Sequence, residues 1–207
     1  MIIHKLTQAD VETAVIAAVA RSLDRKPEEI ELHASLQDEY GAESLDILEI
    51  VFNIEKSCRL RLPKMTLLQH AQEKFATNQF IKQGELTALG LEVLRQMRPE
   101  IDSEQFRPGL RVQDVSRLVT AQTFVRLALR LLDGKEEALE KLRSSGCTTC
   151  GSKEVLDSTT AAEFVCANCG AIYPVPSGDA ILAEDLVRVQ TKMDSPTSVS
   201  LAASDAP

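Results

Sequence analysis

The chain has 207 residues, a formal net charge of -8 and 44% hydrophobic residues, with no tryptophan and aromatics at only 4%. These values describe a soluble globular protein of one or two domains whose core must be filled by Leu, Ile, Val and Ala, a composition that favours helices. A pI near 5.0 argues against nucleic acid and anionic membrane surfaces as partners, because both repel an acidic protein, and no apolar run is long enough to span a bilayer.

The first helix is expected from about Thr7 to Leu23, where Val11, Val15, Ala18, Val19 and Ser22 return to one face while Asp10, Glu12 and Arg21 stay off it. The same N-terminal stretch carries acids among its apolar residues and lacks a basic start, so it does not read as a signal peptide, and the cytoplasm is the expected location. An ordered loop with Pro27 and Gly41 follows, pinned to the core by Ile30, Leu32 and Leu36. A second helix is expected from about Ser44 to Cys58. Leu45, Leu48, Val51, Phe52 and Ile54 form its apolar stripe, and Asp46, Glu49 and Glu55 form an acidic wet face, preceded by Asp38, Glu39 and Glu43.

After Leu60–Arg61–Leu62–Pro63, two further helical patterns cover about Thr66 to Ala76 and about Leu86 to Met97. Pro99, Pro108 and Gly109 punctuate the stretch that leads to two more helical segments, "VQDVSRL" and "AQTFVRLALRLL". Thr120 suits the N-cap of the latter, and Phe124, Leu127, Ala128 and Leu131 keep helical spacing. A charged helical connector, residues 133–146, ends in Ser-Ser-Gly. Beyond it the composition turns to Cys, Gly, Thr and Val, marking a second small domain over about Cys147 to Val189. The Ser/Ala/Pro-rich tail, 190–207, is expected to be disordered.

Ser44 stands at a helix start, where serine is favoured as a cap. Yet a capping box drawn from Ser44 would need Glu or Gln at position 47, which is Ile47. Glu39 and Glu43 also bring more negative charge than capping requires. Taken whole, Tyr40-Gly41-Ala42-Glu43-Ser44-Leu45-Asp46, the apolar and acidic helix after it and the Leu60–Pro63 exit resemble the acyl carrier protein family. That resemblance implies a helical bundle in which Ser44 carries a 4'-phosphopantetheine arm. A phosphopantetheinyl transferase, which supplies the base and Mg²⁺, would add it. The implied docking residues are Glu43, Leu45, Asp46 and Glu49, and the implied partners are acyl-activating or condensing enzymes of fatty acid or secondary metabolite biosynthesis. Glu43 replaces the family's usual Asp. The match resumes at "VQDVSRLVTAQTFVRLALRLL", with the third helix over Gln113 to Leu118 and the fourth at Thr120, or in a second register at Arg111. Residues 1–132 therefore read as carrier-like, with an insertion of about 65–110 that lids the acyl chain, forms a partner surface or merely extends the core.

Cys147, Cys150, Cys166 and Cys169 form two Cys-x-x-Cys-Gly knuckles. Each tight turn points two sulfurs at one ion, and two turns supply four thiolates for a closed tetrahedral Zn²⁺ site, structural rather than catalytic. A doubled motif does not suit a thioredoxin-like redox pair. In a segment this small the metal largely holds the fold together. With Tyr173-Pro174-Val175, Gly178, Ile181-Leu182 and Glu184-Asp185, the segment resembles the small zinc-ribbon proteins that bind and activate methyltransferases. The resemblance implies a protein-docking module with an apolar strand at 181–185. Cys58 reads as a buried thiol, and the scattered His4, His33 and His70 form no catalytic set.

The expected fold is thus mainly α, an acyl-carrier-like bundle with inserted helices followed by a small β-rich zinc ribbon. The expected function is that of a carrier and not an enzyme. The alternative is an adaptor in which the ribbon binds a partner enzyme and Ser44 is only a helix cap.

Overall fold

The computed structural model describes residues 6–75, 77–158 and 162–194. They fall into two compact units. One comprises residues up to Lys64 together with Gln113–Ile181, and the other Met65–Val112 together with the residues from Leu182 onward.

In the first unit, α1 (Gln8–Ser22) starts at the N-cap Thr7, whose hydroxyl accepts from the Asp10 N–H while Asp10 accepts from the Thr7 N–H. This reciprocal pairing satisfies two of the donors that every helix start leaves open. Its apolar face, Val11, Val15, Ala18 and Val19, is buried against both α2 (Ser44–Cys58) and α6 (Ala121–Ser145). From α2 the core takes Ile50, Ile54 and Cys58, and from α6 it takes Ala121, Phe124, Val125, Ala128 and Leu131. The long loop between α1 and α2 is ordered by the devices expected of it. Ile30 and Leu36 are buried and Leu32 packs on the same core. The Leu36 N–H donates to Val119 O, and the Gln122 N–H donates to Leu32 O. Tyr40 braces the loop with its hydroxyl, which accepts from the Glu31 N–H and donates to Glu29 O.

The Val112–Leu118 segment is a 3₁₀-helix, and Thr120 caps α6 through the Thr123 N–H. The fourth bundle helix therefore starts at 121, not at Arg111. It does not stop at 132 either: the expected connector is the second half of one 25-residue helix. Asp133-Gly134 does not break it because Gly134 is where Ile181 packs, leaving no room for a Cβ. Past this point α6 presents Ala138, Leu139 and Leu142 to a three-stranded antiparallel sheet, β3 (Val155–Asp157), β4 (Glu163–Cys166) and β5 (Ile172–Pro174). Val155, Phe164 and Val175 fill the space between them. The chain is thus mainly helical with a small sheet beside the four cysteines.

Residues 181–185 depart from expectation. They lie in α7 (Gly178–Asp194), not in a strand. Ile181, Leu182, Leu186 and Val189 are buried at helical spacing, and that period outweighs the local likeness to a strand. The helix start is anchored within the first unit. The Gly178 N–H donates to Arg61 O, Asp179 accepts from the Lys64 N–H, and Gly178 lies so close to Pro63 that no side chain fits. Because α7 runs to Asp194, the expected tail begins later than 190, and its remainder lies outside the described residues.

The second unit holds α3 (Leu67–Lys74), capped by Thr66, and α5 (Ala88–Met97), capped by Thr87, close to the expected helices. Between them are α4 (Thr77–Phe80) and a hairpin of β1 (Ile81–Lys82) and β2 (Glu85–Leu86). The hairpin replaces what reads in the sequence as the approach to a helix.

Candidate functional site

The start of α2 is built differently from the serine-capped helix that its sequence suggests. Glu43 is the N-cap, and Asp46 Oδ2 accepts the Glu43 N–H at 2.7 Å. Half of the capping box missing from Ser44 is present one residue earlier, with Asp in the place usually held by Glu or Gln. Ser44 is consequently the first helical residue. It is exposed, and its hydroxyl makes no hydrogen bond among the described residues. A cap hydroxyl is spent on a backbone N–H, whereas this one is free for chemistry.

The apolar stripe of α2 is split. Ile50, Ile54 and Cys58 are buried, but Leu45, Leu48 and Phe52 are 76%, 64% and 62% exposed. Of the expected stripe of Leu45, Leu48, Val51, Phe52 and Ile54, only Ile54 is buried and Val51 is half-buried. At 100° per residue, Ile50, Ile54 and Cys58 share one side of the helix and Leu45, Leu48 and Phe52 another. Glu43 and Glu49 are exposed and Asp46 is half-buried beside that outer ridge. Glu55 does not belong to the wet face: its Oε1 accepts the Leu62 N–H at 2.7 Å and holds the Leu60–Pro63 exit against the helix end. Burial raises the Cys58 thiol pKa, with nearby Arg59 and Lys135 only partly offsetting it, which keeps that thiol protonated and unreactive.

The four other cysteines converge. Their sulfurs all lie within 4.8 Å of one another, with Cys147–Cys169 and Cys150–Cys166 each at 3.6 Å. Ligands 2.3 Å from a tetrahedral zinc are about 3.8 Å apart, so the spacing fits an ion and is far too long for disulfides. The two knuckles are copies of each other. In each, the glycine N–H donates to the first cysteine's carbonyl, at 2.8 Å for Gly151 and 2.9 Å for Gly170. The first cysteine's N–H donates to the carbonyl of the residue after the glycine, Ser152 or Ala171. Closing that ring puts Gly151 and Gly170 at φ near +74° and +73°, where a side chain costs energy.

The hydrogen bond from Tyr173 is the main cause that brings Cys147 down to about 5, with help from the N–H groups of Cys150 and Thr149. Asn168 and the Ser152 N–H likewise lower Cys150. At Cys169 the Ala171 N–H acts downward, but the neighbouring thiols, Cys150 first, and burial push it up to about 12. Four thiols crowded on one point cannot all lose their protons without a cation among them. With the ion bound, the donors on Cys147, Cys150 and Cys169 would stabilise the thiolates.

Two polar links join this sheet to the bundle. Buried Lys135 of α6 pairs with Asp157 of β3 at 2.8 Å and donates to Arg59 O, the C-cap carbonyl of α2, at 3.2 Å. Arg59 in turn donates to Ser158 O at 3.1 Å.

Comparison with known families bears on the α2 end of the molecule. Residues 13–72 match the family described as the phosphopantetheine attachment site. The matched segment is less than a third of the chain. It spans most of α1, all of α2 with Ser44, and most of α3, and it stops before α6. It supports a carrier protein rather than a catalyst. No solved structure matches the chain.

Sequence reasoning found the attachment-site segment and all four cysteines. It missed Lys135 and Asp157, which lie in charged stretches that read as solvated, and it named Tyr173 only as part of a resemblance. The single available signal for Lys135 was its position seven residues after Ala128 and four after Leu131, on the buried face of α6.

Proposed function

We propose that the protein is an acyl carrier that bears an acyl or aminoacyl thioester on a 4'-phosphopantetheine arm at Ser44. The observation that carries this reading is the exposed, unbonded Ser44 hydroxyl in the first turn of α2, inside the segment that matches the phosphopantetheine attachment site. A phosphodiester there faces first-turn N–H groups and the positive end of the helix. Asp46 holds the helix start through backbone contact, so the serine needs no structural role. The arm would supply a flexible, thiol-ended tether on which a cargo rides as a thioester, and the chain's part is to present the hydroxyl on a rigid helix end.

A phosphopantetheinyl transferase is the partner that loads the arm. Acyl-activating or condensing enzymes are the partners that use it. The Leu45–Leu48–Phe52 ridge, edged by Glu43, Asp46 and Glu49, offers them an apolar contact with acids around it that draw basic surfaces. We assign Zn²⁺ to Cys147, Cys150, Cys166 and Cys169 as a structural ion, with the sheet around it serving as a docking module. Free thiols at zinc spacing suit the reducing cytoplasm, and no helix among the described residues is long and apolar enough to cross a membrane. By this reading residues 1–132 are the carrier region, about 65–110 are inserted into it, and 147–189 are the metal-bearing part.

The test is intact mass. Incubation of the purified full chain with a broad-specificity transferase, coenzyme A and Mg²⁺ should add one phosphopantetheinyl group to wild type and none to Ser44→Ala. An unchanged wild-type mass would leave the adaptor reading in its place.

A further inference from the structure

At the C-terminal end of α2 the chain reverses its charge. Lys56, Arg59 and Arg61 place three cations within six residues of a protein whose net charge is -8. They surround a cleft of about 290 Å³ that Phe52, Glu55 and Ala162, just before β4, also line. Two of the potential contacts are already engaged. Glu55 Oε1 is occupied by the Leu62 N–H, and Arg59 donates to Ser158 O. Lys56 and Arg61 are exposed and have no acidic partner among the described residues. The lining thus sets three cations against the one carboxylate of Glu55, with Phe52, Leu60 and Ala162 as its apolar part.

The cleft lies in line with Ser44. At 100° per residue, Ser44, Leu48, Phe52 and Lys56 fall on one side of α2, and the exposed ridge of Leu45, Leu48 and Phe52 runs from the serine to the cleft. At about 1.5 Å of rise per residue, Phe52 stands about 12 Å and Lys56 about 18 Å along the axis from Ser44. The phosphopantetheine chain spans some fourteen bonds. At about 3.4 Å per three bonds of an extended chain it reaches about 16 Å, the distance to the cleft mouth.

We propose that this cleft holds the free end of the carried group, and that the group bears a second carboxylate, as in the hemithioester of a dicarboxylic acid. The inference rests on Ser44 carrying the arm. Phe52 contacts the methylenes of the cargo, and Lys56 and Arg61 face its carboxylate. An acyl chain without a charge would leave both cations unpaired and gain nothing from them. The cargo is thereby parked on the outside of the bundle, beside the metal-bearing sheet, instead of among the buried side chains of α1, α2 and α6.

The experiment loads the full, zinc-containing chain through a transferase with either a glutaryl or a butyryl pantetheine arm, confirms each by intact mass, and compares backbone amide chemical shifts. The expected result is a glutaryl-dependent shift at Phe52, Lys56, Arg61 and Ala162 that is absent with butyryl and lost in the double variant Lys56→Gln, Arg61→Gln, whose surface positions leave the fold intact. Equal shifts from both cargoes would overturn the carboxylate assignment. Shifts centred on Ile50, Val125 and Ala128 would place the cargo inside the bundle and overturn the cleft. Shifts that survive in the double variant would do the same. A chain that gains no mass fails at the carrier reading itself, a result separable from all of these.

Discussion

The helical bundle and the cysteine-bearing sheet are held together by different means. The bundle buries a continuous apolar core in which Val11, Val15 and Val19 of α1 meet Ile50 and Ile54 of α2 and Phe124, Val125 and Ala128 of α6. The sheet has three short strands and a core of only Val155, Phe164 and Val175 resting on α6. So little apolar area stabilises weakly, and by the proposed reading an ion on the four cysteines supplies the rest. The first region should therefore tolerate surface change around Ser44, whereas the second should depend on one ion and on the buried Lys135–Asp157 pair that connects it to the end of α2.

The largest effect that separates the two regions is metal removal. Chelation, or Cys166→Ser, should unfold the sheet, since structural zinc contributes on the order of 10 kcal/mol to such sites. The bundle helices should persist, read as retained far-UV circular dichroism with loss of amide protection confined to about 147–175. Loss of the whole helical signal in one transition would show that the two regions fold as one. Next comes Lys135→Ala, which leaves Asp157 half-buried without its cation. Breaking one partner of such a pair costs about 3–5 kcal/mol, and Lys135→Met with Asp157→Leu together should recover most of it. Denaturant melts of the single and double variants measure this directly.

Tyr173→Phe is smaller and more local. Its hydroxyl donates to Cys147 Sγ at 3.0 Å and is itself held by the Thr148 N–H at 2.9 Å. Loss of an outer hydrogen bond of this kind weakens metal binding by about 10–100-fold, visible in competition with a chromophoric chelator, while the melting of the bundle stays unchanged. Asp46→Ala, which removes the cap on the Glu43 N–H, should cost about 1 kcal/mol and lower the bundle's melting temperature without touching metal affinity. The smallest effect belongs to Cys58. Buried in the bundle and with its pKa raised by burial, it should react with a thiol reagent near pH 8 only after denaturation, and a fast reaction in the folded zinc-loaded chain would contradict its place in the core.

What the sequence disclosed follows the same division. Helical periodicity located α1, α2, α3, α5 and α6 because each has an apolar face and a hydroxyl or acid at its start. Cysteine spacing located the four-cysteine cluster because thiols paired at two-residue intervals serve few other purposes. Less legible were features decided by neighbours distant in sequence. The outward turn of Leu45, Leu48 and Phe52 depends on α1 taking the other side of α2. The burial of Lys135 depends on Asp157 and on the carbonyl of Arg59, seventy-six residues away. The helix at 178–194 was obscured by a resemblance that put a strand there, although Ile181, Leu182, Leu186 and Val189 carry a helical period. The hairpin at 81–86 carries a local turn signal. Gln83-Gly84, with φ of 55° and 82°, stands in for the usual Asn-Gly of a tight turn.

The freedom of the Ser44 hydroxyl is the point on which the functional account turns. The most direct measurement of it is a fragmentation mass spectrum of the peptide containing Ser44, after the full chain has been treated with a phosphopantetheinyl transferase and coenzyme A. The account predicts one phosphopantetheinyl group on the Ser44 oxygen, at unchanged protein stability. A group attached to any other residue, or a Ser44 peptide that stays unmodified while a known carrier in the same tube is fully converted, would contradict it.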